Sequence, residues 1–126
     1  MVSETIRQRF LRDPLPGRLG ALAADLARIA SFAENPKNQR AVASLLEEGK
    51  WFAEWAAPEA PLETQAVLAE TQRALAIWER GWLNGSPVPT MSADARRKSD
   101  ELLALSGLLS DVCPPRLEGT RRAGEV

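Results

Sequence analysis

Apolar residues recur along this chain at spacings of three and four, and prolines and glycines cut the recurrences into four long segments. In the first, Leu19, Leu22, Leu26, Ile29 and Ala33 alternate those spacings and so share one face of a helix, expected from about Gly17 to Ala33. Asp13-Pro14 offers an earlier start. The second segment opens at Asn35-Pro36. Asn35 supplies a capping oxygen, and Pro36 suits a first helical position, where no N–H partner is lost. That helix is expected to reach about Ala57, ahead of Pro58, with a stripe of Val42, Leu45, Leu46, Gly49, Phe52 and Ala56.

The linker Pro58-Glu59-Ala60-Pro61 is short enough to make the second and third helices antiparallel neighbours. The third is expected from about Pro61 to Leu83. Leu68, Leu75, Trp78 and Trp82 form its stripe, Val67 and Ala74 flank it, and Asn84-Gly85 is a C-terminal stop. After Ser86-Pro87-Val88-Pro89-Thr90, Ser92 is expected to cap a fourth helix running to about Val112, with Ala95, Leu102, Leu105, Leu109 and Val112 on its stripe. Pro114-Pro115 ends it.

Strand-like alternation of β-branched residues occurs nowhere, so the class is all-α. Short connections and near-heptad stripes point to a four-helix bundle over residues 17–113, mostly up-and-down. Residues 1–16 form an N-terminal appendage, in which Ile6, Phe10 and Leu11 lay an apolar edge on the bundle. Residues 114–126 are a polar tail, expected to fray.

Composition narrows the function mainly by exclusion. Sixteen basic residues face seventeen acidic ones, balanced along the chain at a net charge of −1, so nucleic acid finds no basic footprint. No apolar run reaches the length of a signal peptide core or a membrane span. The single cysteine, Cys113, cannot staple the fold and suits a reducing, cytoplasmic compartment. It follows a helix C-terminus, where the dipole disfavours a thiolate.

There is no histidine. That removes Ser-His-Asp and Cys-His catalysis, and it leaves too few ligands for zinc or for the Glu-x-x-His iron sites of helical bundles. No glycine-rich phosphate loop is present. The expectation is a protein with no cofactor, no metal and no enzymatic activity of a standard class. Glu47, Glu48 and Glu70 fall level across the hairpin of the second and third helices, but two of them point away from their stripes and read as solvated surface. Arg96-Arg97-Lys98 precedes Asp100 and Glu101 at helical spacing and reads as a locally paired face.

The tryptophans are more informative. Trp78 and Trp82, with Phe52 and Leu75, lie on stripes and read as core anchors; Thr71 or Gln72 offers a partner for an indole N–H. Trp51 lies about 160° from the centre of its stripe, on a polar face with Arg40, Ser44, Glu47 and Glu54, and Trp55 lies about 120° off. Ile77 points nearly opposite Leu75. An indole left in water forgoes roughly 2–3 kcal/mol of burial, so Trp51 needs a cover. Residues around Ile6 and Phe10, a second copy, or a separate protein would provide one. The expected function is therefore protein association, with itself or with a protein partner, through a surface of Trp51, Trp55, Arg40, Glu47 and Ile77. The alternative is a small-molecule-binding bundle, with an apolar cavity framed by Gly49, Gly107 and Trp78 or Trp82.

Overall fold

The computed structural model describes residues 3–107. Among them the protein is helical throughout, with no strand. It has five α-helices: α1 (Glu4–Arg12), α2 (Leu15–Phe32), α3 (Gln39–Ala56), α4 (Leu62–Leu83) and α5 (Met91–Ser106). Single 3-10 turns, Pro36–Asn38 and Ala57–Glu59, lead into and out of α3.

Local chemistry accounts for the boundaries. Ser3 caps α1 by accepting from the Ile6 N–H. α2 starts two residues before Gly17 because Pro14 and Pro16 occupy first-turn positions that have no intrahelical N–H partner to lose. Asn35 accepts from the Lys37 N–H at 2.9 Å, but it caps the 3-10 turn, and the α-helical pattern begins only at Gln39. α4 closes in a Schellman arrangement: Ser86 N–H bonds the Gly81 carbonyl at 2.8 Å and Gly85 N–H bonds Trp82 at 3.2 Å, with Gly85 at φ +74°.

The fourth predicted helix needs two corrections. Thr90 rather than Ser92 is its N-cap residue, and its hydroxyl donates to Asp94 at 2.9 Å. α5 then stops at Ser106 because Gly107 turns left-handed, φ 79°, well before Val112. Apolar periodicity continued past the glycine, and period alone does not register a left-handed cap. Leu109, Val112, Cys113 and the tail 114–126 lie outside the described residues.

Packing joins the helices as α5–α2–α3–α4, and α4 and α5 meet only sparsely. Each joined pair is antiparallel. Ser99 Oγ donates to the Ala23 carbonyl at 2.8 Å while Arg96 reaches Ser31, so residue numbers run oppositely in α5 and α2. Trp82 Nε1 donates to the Gln39 carbonyl at 3.0 Å, and Gln65 near the other end of α4 donates to Ala57. Gln39, not Thr71 or Gln72, thus satisfies that indole. Thr71 instead bonds back to Val67 within α4.

The core contains Leu19, Leu22, Leu26 and Ile29 of α2, Val42, Leu46 and Phe52 of α3, Leu68, Leu75, Trp78 and Trp82 of α4, and Ala95 and Leu102 of α5. All four predicted anchors are in it. A Cβ at Gly49 would stand 3.1 Å from Leu75 Cδ1 and 3.7 Å from Leu22 Cδ1. The absent side chain therefore lets α2, α3 and α4 close together, and it does not open a cavity. Of the residues expected to frame an apolar site, Gly49 has leucines filling the space beside it, Trp78 and Trp82 are buried in the core, and Gly107 is the C-cap of α5.

Arg18 is buried where α1 joins α2. Its Nε donates to the Asp13 carbonyl at 2.8 Å, its Nη2 to the Leu11 carbonyl at 2.9 Å, and its Nη1 to Glu59 at 2.9 Å. One side chain thus ties the α1–α2 corner to the turn after α3. No helix among the described residues is long and apolar enough to cross a membrane.

Candidate functional site

A row of aromatic rings runs from α1 onto α3. Phe10 stacks on Phe52 with centroids 4.2 Å apart and planes at 15°. Trp55 tilts against both, at 5.9 Å from Phe10 and 6.1 Å from Phe52. Trp51 stacks on Trp55 at 5.8 Å and 28°. The Arg7 guanidinium, 3.4 Å from Glu4, stands over the Trp55 ring at 5.9 Å. α1 thereby covers the first part of the row. Trp51, at the far end, lies outside the core cluster and is half-buried.

Beyond Trp51 opens a cleft of about 330 Å³ between α3 and α4, lined by Glu47, Lys50, Trp51 and Glu54 of α3 and by Gln72 and Glu79 of α4. Helical spacing produces the α3 wall: Glu47, Trp51 and Glu54 fall one turn apart on one face. Polar bonds fix the α4 wall. Gln72 Nε2 reaches the Lys50 carbonyl at 3.2 Å and Glu54 Oε1 at 3.0 Å, and Lys50 pairs with Glu79. Three carboxylates thus surround one ammonium and one open indole.

Comparison with protein-family models, curated proteins and solved structures finds no match.

The geometry of the cleft separates the residues expected to act together. Glu47 and Trp51 line it, and Trp55 backs it. Arg40 shares the helical face but sits three turns away, exposed. Ile77 is 52% exposed on another face of α4, about 140° round from Gln72, and does not line the cleft. The single surface predicted from Trp51, Trp55, Arg40, Glu47 and Ile77 is thus divided by helix geometry. Lys50, Gln72 and Glu79 join the site without having been expected there, because their meeting depends on the α3–α4 register.

The acidic residues also regroup. Glu70 is exposed on α4, and Glu48 turns away from Glu47 toward α2. There it meets Asp25, which is 2% exposed. Arg28 Nη1 holds Asp25 Oδ1 at 3.1 Å, whereas Oδ2 finds no donor among the described residues. Burial first, and then the Glu48 carboxylate beside it, push the Asp25 carboxyl up from 3.8 to about 9. A proton on Asp25 resolves the orphan, since a carboxylic acid donates to the carboxylate of Glu48. Asp25 has a signal in the sequence: it stands three residues after Leu22 and four before Ile29, on the core stripe of α2. Arg18 lies four residues before Leu22 on the same stripe.

Among the described residues, no group of three or more potential ligands is placed to hold a metal ion. The basic run on α5 is paired differently from expectation. Arg97 holds Asp94 at 2.7 Å and Arg96 reaches Ser31 at 3.3 Å, while Asp100 and Glu101 stay exposed. The Thr90 hydroxyl and then Arg97 hold the Asp94 carboxyl below its usual range.

Proposed function

We propose that this protein is a non-catalytic helical interaction module that binds protein through the outer face of α3, around Trp51. One observation carries the reading: the aromatic row is roofed by α1 as far as Trp55 and is left open at Trp51, beside a cleft. A half-buried tryptophan at the mouth of a cleft is the type of side chain that dominates protein interfaces when a partner desolvates it. In this reading the four long helices act as an up-and-down frame. It holds α3 rigid through α2 on one side and α4 on the other, so the binding face is pre-organised.

The test measures solution mass and partner binding for the wild type and Trp51→Ala, with circular dichroism to confirm that both are folded. A dimer or a complex that dissociates in Trp51→Ala supports the reading. Identical mass and identical partners in the two proteins would refute it.

A further inference from the structure

α4 carries a second surface, on the side away from the core. Among the described residues the exposed large apolar side chains are Leu62 at 83%, Ile77 at 52% and Leu83 at 65%, and all three belong to this one helix. At helical spacing each lies within about 80° of Arg73, whereas the buried Leu68 and Leu75 point to the opposite side. Ala66, Ala69 and Ala76 are exposed between them. α4 packs chiefly on α3 and only sparsely on α5, so no described element covers this face. Large apolar side chains gathered on one exposed face mark an interaction surface.

The order of charge along the same face says what fits it. Glu63 and Glu70 stand in its first half, Arg73 and Arg80 in its second. All four are exposed, and none forms an ion pair among the described residues. Counted from the midpoint between Thr71 and Gln72, Glu70 and Arg73 are equally far out, and so are Glu63 and Arg80. The apolar positions repeat the symmetry. Ala66 and Ile77 are equally far from that midpoint, and Leu62 and Leu83 are the first and last residues of the helix. Reversing α4 therefore exchanges acid for base and apolar for apolar. A twofold contact demands this, since the patch must be complementary to itself.

We propose that α4 pairs with the α4 of a second copy of this chain, antiparallel about a twofold axis level with Thr71 and Gln72. In that pair Glu70 faces Arg73 of the partner subunit and Glu63 faces Arg80 of the partner subunit, and each contact occurs twice. Ile77 rests on the space left by Ala66 of the partner subunit. The alanines let the helix axes approach to about 8 Å, the short end of the usual range. A parallel pair would set each carboxylate against its own copy and each arginine likewise, so electrostatics select the antiparallel arrangement. A net charge of −1 does little to keep copies apart. α4 has 22 residues and is about 33 Å long. One helix pair of that length buries less than about 1,200 Å², so the dimer is weak, with half-association on the order of 100 µM. Ile77 lies about 140° round α4 from Gln72, so this surface is separate from the Trp51 cleft and does not rest on the reading made there.

The test is sedimentation equilibrium of the full chain from about 10 µM to about 1 mM, with circular dichroism to confirm that each variant is folded. The wild type is expected to pass from monomer to dimer over that range. Ile77→Asp and Arg73→Glu, both at exposed positions, are each expected to weaken the dimer by about tenfold or more, because each change enters the contact twice. Glu70→Arg combined with Arg73→Glu returns unlike charges to the contact and is expected to recover wild-type association. Trp51→Ala is expected to leave this dimer unchanged. A chain that stays monomeric at about 1 mM overturns the proposal, and so does a dimer indifferent to Ile77→Asp. A doubly changed chain that remains dissociated overturns it as well, because the charges then do not face one another. A dimer lost in Trp51→Ala and kept in Ile77→Asp overturns it and assigns the contact to α3. A dimer lost in Ile77→Asp and kept in Trp51→Ala supports it, and leaves the Trp51 reading to be judged on partner binding alone.

Discussion

Asp25→Asn is expected to make the protein more stable at neutral pH and to flatten the dependence of stability on pH. Burial and Glu48 raise the Asp25 carboxyl from 3.8 to about 9 in the folded state. Between those values the folded protein keeps a proton that the unfolded chain releases. Stability from this group is therefore complete below about pH 4 and declines as pH rises toward about 9, by up to about 1.4 kcal/mol per unit. From pH 4 to pH 7 the ceiling is about 4 kcal/mol; relaxation and water entry bring the expected difference nearer 2 kcal/mol. Asparagine has the same shape and no titration. Its carbonyl accepts from Arg28 as Oδ1 does at 3.1 Å, and its amide donates toward Glu48, meeting the orphaned position. Urea denaturation of both proteins at pH 4, 5.5, 7 and 8.5 isolates this group, because every other carboxyl is common to the two. The variants are expected to be nearly equal at pH 4, with Asp25→Asn ahead by about 2 kcal/mol at pH 7 and further ahead at pH 8.5. A difference that does not change with pH, or that favours aspartate as pH rises, would refute the shared-proton account. Glu48→Gln provides a control: with the neighbouring carboxylate gone, the wild-type slope is expected to become shallower.

Arg18→Met keeps the aliphatic packing but strips donors from the Leu11 and Asp13 carbonyls, and is expected to cost about 2–3 kcal/mol by denaturant titration. Little of that comes from Glu59, which is mostly exposed, so Glu59→Gln is expected to cost less than about 1 kcal/mol. Phe10→Ala removes the ring stacked on Phe52, and is expected to cost about 3 kcal/mol and to shift tryptophan emission to the red as Trp55 loses its cover. Gly81→Ala sets a helix-propensity gain of about 1 kcal/mol against a Cβ that would stand 2.7 Å from the Ser86 carbonyl oxygen. The clash is with backbone that the Schellman bonds hold in place, so thermal unfolding is expected to show a net loss of about 1 kcal/mol or more. A gain in stability there would show that the α4 terminus relaxes freely.

The all-helical class, the approximate extent of four long helices and most of the core are legible in the order of the residues. These follow from local periodicity and from proline, asparagine and glycine at the ends, which act through backbone geometry within a few residues. The Asn84-Gly85 stop and the burial of Trp78 and Trp82 were legible for that reason. So was the docking of an apolar edge from the first residues, through Ile6, Phe10 and Leu11. The end of α5 at Gly107 was legible in principle, but the continuing leucines concealed it. Tertiary structure alone decided the site. Lys50 and Glu79, Gln72 and Glu54, and Glu48 and Asp25 meet across helices whose relative rotation and register come from packing, with Gly49 admitting Leu75 and Leu22 at close range. A shift of one residue between α3 and α4 turns each side chain by about 100° and would dissolve the cleft while leaving every stripe in the sequence unchanged. The fate of Trp51 was decided in the same way. Its position on a polar face and the Trp55 ring one turn away are properties of one helix, whereas the cleft in front of it belongs to the pairing of α3 with α4.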